Sequence, residues 1–240
     1  MFPETSAHIF LKEWGLISEN ETARAVRVLL GQAPIACALL EMEEQTLAPG
    51  VSTLSDADYG LLLLPVVGNL ELYREGFITD LTCGQFGYIP PGMITRIRNP
   101  YTQELIRFIR LQVRQKDYGG HSSYSRHSFD LREQTGSCIP VMECGAIRVC
   151  IGLFPMRVSA AYSLHNTDAC IFGYVLQGSM EIDGRLLHAG DALYLWNTRS
   201  AELESFGKES ILLIIESPYT PVRPSLKKKT IYEPDTNRNY

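Results

Sequence analysis

Features that mark several protein classes are missing from this 240-residue sequence. No stretch approaches the roughly 18 consecutive apolar residues that a membrane-spanning helix needs. Residues 1–11 lack the basic segment followed by an apolar one that marks a secretory signal. No Cys-x-x-Cys pair occurs, so neither a zinc ribbon nor a thioredoxin-like motif is predicted. Without an export signal, we expect a cytoplasmic protein with no membrane partner, whose six cysteines are buried and reduced.

Positive charge is scarce as well. The formal net charge is −5, and the one cationic run, at residues 227–229, lies in a proline-rich tail where we expect it to be solvated. A basic face or stripe is what a nucleic-acid-binding domain presents to phosphates. The composition therefore gives no reason to expect nucleic acid as a partner.

What the sequence does contain is a succession of short apolar segments separated by Gly, Pro, Asn or Asp, with little helical periodicity. Residues 105–113 predict a strand with a bulge or a frame shift inside it, and the uninterrupted apolar residues 211–215 predict a strand buried on both faces. The segments form two series of similar order on either side of a polar, Gly- and Ser-rich connection. The predicted organisation is all-β, with a first unit (1–116), a connection (117–145), a second unit (146–218) and an extended arm (219–240).

One segment of the first unit carries a specific motif. Residues 84–99 read Gly84, five residues, Pro90-x-Gly92, two residues, Thr95, three residues and Asn99. This resembles the second motif of the cupin family at every fixed position except the histidine, which is Thr95 here. The glycines suit tight turns, and the strand after the Pro-Gly turn directs its first side chain into a barrel.

The second unit resembles the same family. Residues 172–184 are similar to the strand-Gly-strand-Gly hairpin of a cupin, and Gly190-Asp191 is similar to the turn that follows it. Two such units imply a bicupin, which is two RmlC-like jelly-roll barrels in one chain. Within the bicupins, the chain resembles the pirin family, which includes bacterial pirin-like quercetin 2,3-dioxygenases. That resemblance rests on Asn99-Pro100, residues 124–130, the step from Tyr162 to His165, and residues 213–218.

The pirin resemblance implies a divalent metal, usually iron, held in the first barrel by His-x-His and by His-x-Glu just before the Asn-Pro pair. Imidazole and carboxylate ligands of this kind leave open positions for oxygen or substrate. Here the last two positions fall on Thr95 and Ile97, and no histidine lies between His8 and His121. The sequence therefore lacks the usual ligands, and we predict no metal or other cofactor.

The His-x-His position depends on the register of the alignment. One count places it at Leu54 and Asp56, and the other at Asp56 and Asp58. Two aspartates could hold a hard cation such as Mg²⁺, but such sites need further oxygen ligands that the sequence does not offer. A polar loop at the mouth of the barrel is the favoured interpretation.

Second-barrel ligands are also absent. The motif histidine falls on Ala201 and the motif glutamate on Ile171. Tyr162 and His165 remain as candidates for a second-barrel pocket, although a lone histidine near an apolar strand is usually a hydrogen-bonded core or rim residue.

Two functions of different classes stay open. The leading hypothesis is a pirin-like bicupin without enzymatic activity, or a protein that binds a small organic molecule in the first barrel. The alternative is a quercetinase-like dioxygenase with an atypical metal site. An interaction protein is a third hypothesis, but no segment indicates a particular partner, and pairing of chains through barrel edges is open. The first-barrel pocket would be lined by Asp56, Asp58, Tyr59, Thr95 and Ile97.

Overall fold

The structure is a computed structural model that describes residues 6–29, 33, 35–55, 58–114 and 123–221. In these residues the chain forms 22 strands and one three-residue 3-10 turn, Lys12–Trp14. The predicted all-β class and the bicupin plan are confirmed. Within the same residues, no helix is long and apolar enough to cross a bilayer.

The first barrel consists of a seven-stranded and a four-stranded antiparallel sheet. The large sheet has the order β13-β10-β7-β12-β5-β3-β2 and the small sheet has the order β6-β11-β8-β9. The strands of the large sheet are β2 (Leu16–Glu19), β3 (Ala23–Leu29), β5 (Leu39–Leu47), β7 (Gly60–Val67), β10 (Gln85–Ile89), β12 (Ile106–Val113) and β13 (Ser125–Ser128). Those of the small sheet are β6 (Ser52–Leu54), β8 (Leu70–Arg74), β9 (Phe77–Leu81) and β11 (Arg96–Arg98).

The second barrel repeats this plan. Its large sheet has the order β1-β20-β17-β22-β15-β14, with β4 added to the end of β22, and its small sheet has the order β16-β21-β18-β19. The large sheet contains β1 (Ser6–Phe10), β4 (Ile35–Cys37), β14 (Cys138–Cys144), β15 (Ile147–Pro155), β17 (Ala169–Gln177), β20 (Ala192–Trp196) and β22 (Glu209–Pro221). The small sheet contains β16 (Ser159–Ser163), β18 (Ser179–Ile182), β19 (Arg185–His188) and β21 (Ser200–Ser205).

Both large sheets include strands that lie outside the stretch of sequence forming the rest of their barrel. Strand β1 precedes the first barrel but pairs with β20 of the second. Strand β13 lies in the connection and pairs with β10 of the first. The predicted first unit (1–116) thus contains two strands of the second large sheet, β1 and β4, and the predicted connection (117–145) contains β13 of the first large sheet and β14 of the second. The sequence of a short strand such as β1 does not indicate which strand it pairs with. Of the predicted arm, residues 219–221 extend β22, and residues 222–240 lie outside the described residues.

Three apolar clusters follow from the alternation of side chains along the strands. One fills the first barrel, one fills the second, and the largest lies between the two large sheets. In β7, Leu61 and Leu63 enter the first barrel while Leu62 and Leu64 pack between the sheets. In β22, Leu212 and Ile214 enter the second barrel while their neighbours face the central cluster. The prediction that residues 211–215 are buried on both faces is confirmed, and so is the bulge in β12, between Arg107 and Phe108.

The motif at residues 84–99 provides a scaffold for the first barrel. Gly84 and Gly92 have φ values of +81° and +85°, in the left-handed region that glycine enters without strain. Asn99 is fully buried, and its Nδ2 donates hydrogen bonds to the carbonyl oxygens of Leu47 (3.0 Å) and Glu104 (2.8 Å). The asparagine of the motif thus ties the small sheet to the large one, and this role does not require a metal.

Candidate functional site

The centre of the first barrel is closed by residues of the small sheet. Thr95 and Ile97 are both fully buried, and Ile97 belongs to the apolar cluster of this barrel. The backbone N–H of Thr95 donates to Ser55 Oγ at 2.9 Å, and its own hydroxyl donates to the Met93 carbonyl oxygen at 3.4 Å. The two positions that hold His-x-Glu in the pirin family are therefore part of the packed interior of this chain.

The other residues predicted for the first-barrel pocket come between β6 and β7 in the sequence. Asp56 falls outside the described residues. Asp58 is exposed and Tyr59 is half-buried at the start of β7. Leu54, which occupies the histidine position in one register, is 59% exposed and so does not face the barrel interior. The predicted pocket thus divides into a buried pair, Thr95 and Ile97, and a peripheral loop.

The residues present do not fit the metal that the family resemblance implies. Ile97 carries no donor atom and is surrounded by leucine and isoleucine side chains, while Thr95 offers only a hydroxyl that already donates to a backbone carbonyl. A divalent first-row metal needs imidazole, thiolate or carboxylate ligands that converge on one point. Within the described residues, no group of three or more His, Cys, Asp or Glu side chains converges in this way.

In the second barrel, Tyr162 meets a buried carboxylate that sequence reasoning missed. Glu216, 2% exposed on β22, accepts a hydrogen bond from the Tyr162 hydroxyl at 2.5 Å. The same carboxylate accepts the backbone N–H groups of His165 (3.0 Å) and Asn166 (3.4 Å). Burial raises the pKa of Tyr162 well above its usual range, so the hydroxyl keeps its proton and acts as a donor.

His165 does not enter a second-barrel pocket through its ring. The residue is exposed, and its backbone N–H makes the contact with Glu216. The imidazole expected as a pocket residue thus belongs to a surface loop that the buried carboxylate holds in place. Ala201 and Ile171, at the ligand positions of the motif, are buried members of the apolar cluster of this barrel.

The five cysteines whose side chains the structure describes are free thiols. Cys37, Cys150 and Cys170 are buried, as predicted, whereas Cys83 is exposed at the turn before β10, contrary to that prediction. Burial of part of its side chain nevertheless raises the pKa of the Cys83 thiol, and its Sγ lies 3.3 Å from the Gly68 carbonyl oxygen. A raised pKa disfavours the thiolate and therefore a nucleophilic role.

A row of charged residues crosses the inner face of the large sheet in the first barrel. Glu43 lies on β5, directly opposite Arg27 on β3 and Arg110 on β12. Glu43 and Arg110 are 2% and 8% exposed. Arg27 donates through Nη2 to Glu43 Oε2 at 2.8 Å, and the Arg110 Nη1 atom lies 3.9 Å from Glu43 Oε1. The hydrogen bond to Glu43 raises the pKa of Arg27 further, so the guanidinium keeps its charge.

A cavity of about 300 Å³ lies beside this row. Its walls come from the β2–β3 hairpin, from Glu43, Gln45 and Leu47 on β5, and from residues 51–53 at β6. Thr53 in this wall pairs with Ile97 on β11, whose own side chain does not line the cavity. Sequence reasoning missed this site because its residues come together only through strand pairing, although three glutamates and a glutamine within the nine residues of β5 were a visible signal.

Comparison with known proteins shows a similarity to cupin proteins, in sequence over part of the chain and in fold over most of it. Residues 146–216 match a family model described as the quercetinase C-terminal cupin domain, Pirin_C_2. A sequence comparison with the curated proteins gave no match.

Three solved structures illustrate the similarity of fold. The bacterial pirin YhhW from Escherichia coli, in complex with nickel(II), has a TM-score of 0.73 at 12% identity, with 89% of this chain and 100% of that chain covered. GK1651 from Geobacillus kaustophilus has a TM-score of 0.69 at 15% identity, with 91% and 97% covered. Oxalate decarboxylase from Bacillus subtilis has a TM-score of 0.65 at 13% identity, with 88% and 76% covered.

Proposed function

We propose that this chain, a bicupin of the pirin family as its second barrel and its whole fold indicate, binds a small organic molecule in the first barrel without using a metal. The observation that carries the proposal is the packing of Ile97, which is fully buried among apolar side chains at the position of the carboxylate ligand. A side chain without a donor atom cannot serve as a metal ligand.

The cavity beside Glu43 supports the binding part of the proposal. Ligand sites are usually concave, partly apolar and furnished with a few fixed polar groups. Here Leu47 and Val51 supply apolar surface, while Arg27 and Glu43 supply polar groups held by a short ion pair. We expect the protein to act in the cytoplasm, as the sequence predicts.

Metal analysis of protein purified without chelators tests the proposal against the quercetinase-like alternative. We expect iron, nickel, copper and manganese well below one ion per chain and no turnover of quercetin. One equivalent of metal in the wild-type protein that disappears in an Asp56→Ala/Asp58→Ala double variant would overturn the proposal. An Asp80→Ala variant, which removes an exposed aspartate of β9, is the matched control.

A further inference from the structure

One half-buried arginine of the first barrel has no carboxylate partner in the part of the chain that the structure describes. Arg74 ends β8 and is directed inward, because it alternates in phase with Leu70 and Leu72, which belong to the apolar cluster of this barrel. The other described arginines that are buried or half-buried all have a carboxylate oxygen within 4.0 Å. They are Arg24, Arg98, Arg107, Arg110, Arg148 and Arg185.

The guanidinium of Arg74 contacts neutral groups instead. Its Nη2 donates to Thr79 Oγ1 at 2.9 Å, and its Nη1 lies 3.9 Å from Met93 Sδ, which is a weak acceptor. Its Cζ lies 3.7 Å from the centroid of the Tyr124 ring, a cation–π contact. Glu75 follows Arg74 in the sequence, but it is exposed and forms no ion pair with it. The positive charge of Arg74 is therefore not balanced by a described carboxylate in contact with it.

A second arginine lies near the same tyrosine. Arg126 on β13 pairs with Gly87 on β10, and the ring of Tyr124 lies 3.6 Å from the place where a Cβ of Gly87 would stand. Arg126 donates through Nη1 to the backbone carbonyl oxygen of Asp80 at 2.9 Å and has no carboxylate partner among the described residues. Burial raises the pKa of Tyr124, and the charges of Arg74 and Arg126 both oppose this rise. Two cations thus act on one place at the barrel wall.

This arrangement suits an organic anion. A planar guanidinium matches the two oxygens of a carboxylate, and a partly desolvated cation gains from a counter-ion. The Nε of Arg74 is buried, so Nη1, which contacts only a thioether, is the donor that a ligand would meet. Met93 and Tyr124 are half-buried and pack against the apolar cluster, so they offer apolar surface beside the cations. An anion with an apolar part therefore fits better than an inorganic one.

The turns on either side of Arg74 leave open space. A Cβ added to Gly76, in the turn after β8, or to Gly92, in the turn before Met93, would meet no described atom within 4 Å. Larger or more crowded turns would cover this end of the small sheet.

We infer that Arg74 and Arg126 bind the carboxylate of a small organic acid, with the apolar part of the acid against Met93 and Tyr124. The site is separate from the cavity beside Glu43, because that cavity is bordered by β6, and β11 lies between β6 and β8 in the small sheet. The inference goes beyond the proposed function and requires neither an occupied cavity nor the absence of metal.

Binding of three named probes tests the inference. Benzoate is the organic carboxylate, benzamide is its neutral counterpart, and inorganic phosphate is an anion without an apolar part. Titration calorimetry on the full chain at low salt measures the affinities. We expect benzoate to bind and the other two probes to bind at least about tenfold more weakly, since a hydrogen bond between charged groups is lost or the apolar contact is missing.

Substitutions locate the site. We expect Arg74→Gln to weaken benzoate binding at least about tenfold and Arg126→Gln to weaken it about threefold or more, because Arg126 is exposed and its charge is better screened. Arg96→Gln is the matched control. Arg96 is an exposed arginine without an ion-pair partner among the described residues, and it lies on the outer face of the same small sheet, opposite Tyr73. Its substitution should leave the benzoate affinity unchanged.

Three results would overturn the inference: no binding of benzoate to folded protein, binding of benzamide or phosphate as tight as that of benzoate, or an unchanged benzoate affinity in both site variants. Thermal unfolding of each variant separates loss of the site from loss of the fold, and the exposed Arg126 keeps the test available if Arg74→Gln does not fold. Metal content is measured on the same samples. Stoichiometric metal with benzoate binding that depends on Arg74 would overturn the metal-free proposal alone, whereas metal-free protein that binds no benzoate would overturn this inference alone.

Discussion

Each barrel buries a carboxylate on its large sheet, and the two carboxylates are satisfied in different ways. Glu43 in the first barrel and Glu216 in the second are both 2% exposed. Glu43 contacts only side chains, namely those of Arg27, Arg110 and Gln45. Glu216 accepts two backbone N–H groups and one tyrosine hydroxyl.

The difference indicates different tasks for the two barrels. A carboxylate that binds backbone N–H groups fixes a loop, because those donors cannot move without unfolding the segment that carries them. A carboxylate held by side chains leaves the backbone free and places ionised groups beside a cavity. We therefore interpret the first barrel as the binding barrel and the second as the structural one.

The centres of the two barrels, in contrast, are alike. Ile97 on β11 pairs with Leu72, and Leu203 on β21 pairs with Ile182 at the corresponding place in the second small sheet. Both are 2% exposed or less. Where the family places a metal-binding carboxylate in the first barrel, this chain has packed apolar residues in both.

The prediction with the largest expected effect tests whether the centres of the two barrels are alike. Ile97→Glu and Leu203→Glu each place a carboxyl group among apolar side chains without a partner. We expect each to lower the free energy of unfolding by about 4 kcal/mol, measured by denaturant unfolding. Ile78→Glu, at a position that is 61% exposed on the same small sheet as Ile97, should change it by less than about 0.5 kcal/mol. If Ile97→Glu left the stability unchanged while Leu203→Glu lowered it, the centre of the first barrel would have to be hydrated. The two barrel centres would then not be alike.

The second prediction concerns the ion pairs of the first barrel. Glu43→Ala leaves Arg110 buried without its carboxylate and removes the partner of Arg27. We expect a loss of about 3 kcal/mol in the free energy of unfolding. Glu71→Ala is the control, because it breaks the 2.9 Å pair with Arg98 on the outer face, where both partners are partly exposed, and should cost less than about 1 kcal/mol. Equal effects of the two substitutions would contradict the special role of Glu43.

Much of the frame could be predicted from the sequence because local chemistry determines it. Glycines at positive φ, the Pro-Gly turn and the buried Asn99 recur at fixed spacing, so residues 84–99 indicate a cupin strand and turn wherever they occur. Residues 211–215 indicate burial on both faces because no polar residue interrupts them. The absence of histidine between His8 and His121 is also a sequence fact, and the structure adds that Thr95 and Ile97 are packed.

The cavity beside Glu43 and the exchange of β1 could not be predicted in the same way. Arg27, Glu43 and Arg110 become neighbours only when β3, β5 and β12 pair in one register, and the sequence alone does not state that register. The same holds for Tyr162 and Glu216, which come from different sheets of the second barrel. His165 illustrates the opposite error, since a residue type associated with metal sites contributes only its backbone here.

The smallest expected effect tests the structural role of the second barrel. Tyr162→Phe removes the hydroxyl that donates to Glu216 and leaves both backbone contacts of that carboxylate in place. A hydrogen bond to a charged group contributes about 1.5–3 kcal/mol, and we expect a loss near the lower end because the backbone donors remain. Denaturant unfolding measures the loss, and hydrogen exchange at residues 164–166 should increase because Glu216 then holds this loop less firmly.

Tyr73→Phe supplies the matched control for this prediction. Its hydroxyl also donates to a glutamate, Glu71, at 2.9 Å, but on the half-buried outer face of the first barrel. Water can replace that donor, so the substitution should change the free energy of unfolding by no more than about 0.5 kcal/mol. A Tyr162→Phe variant that loses no more stability than Tyr73→Phe would mean that the Glu216 contact is not structural. The interpretation of the second barrel as the structural one would then have no support.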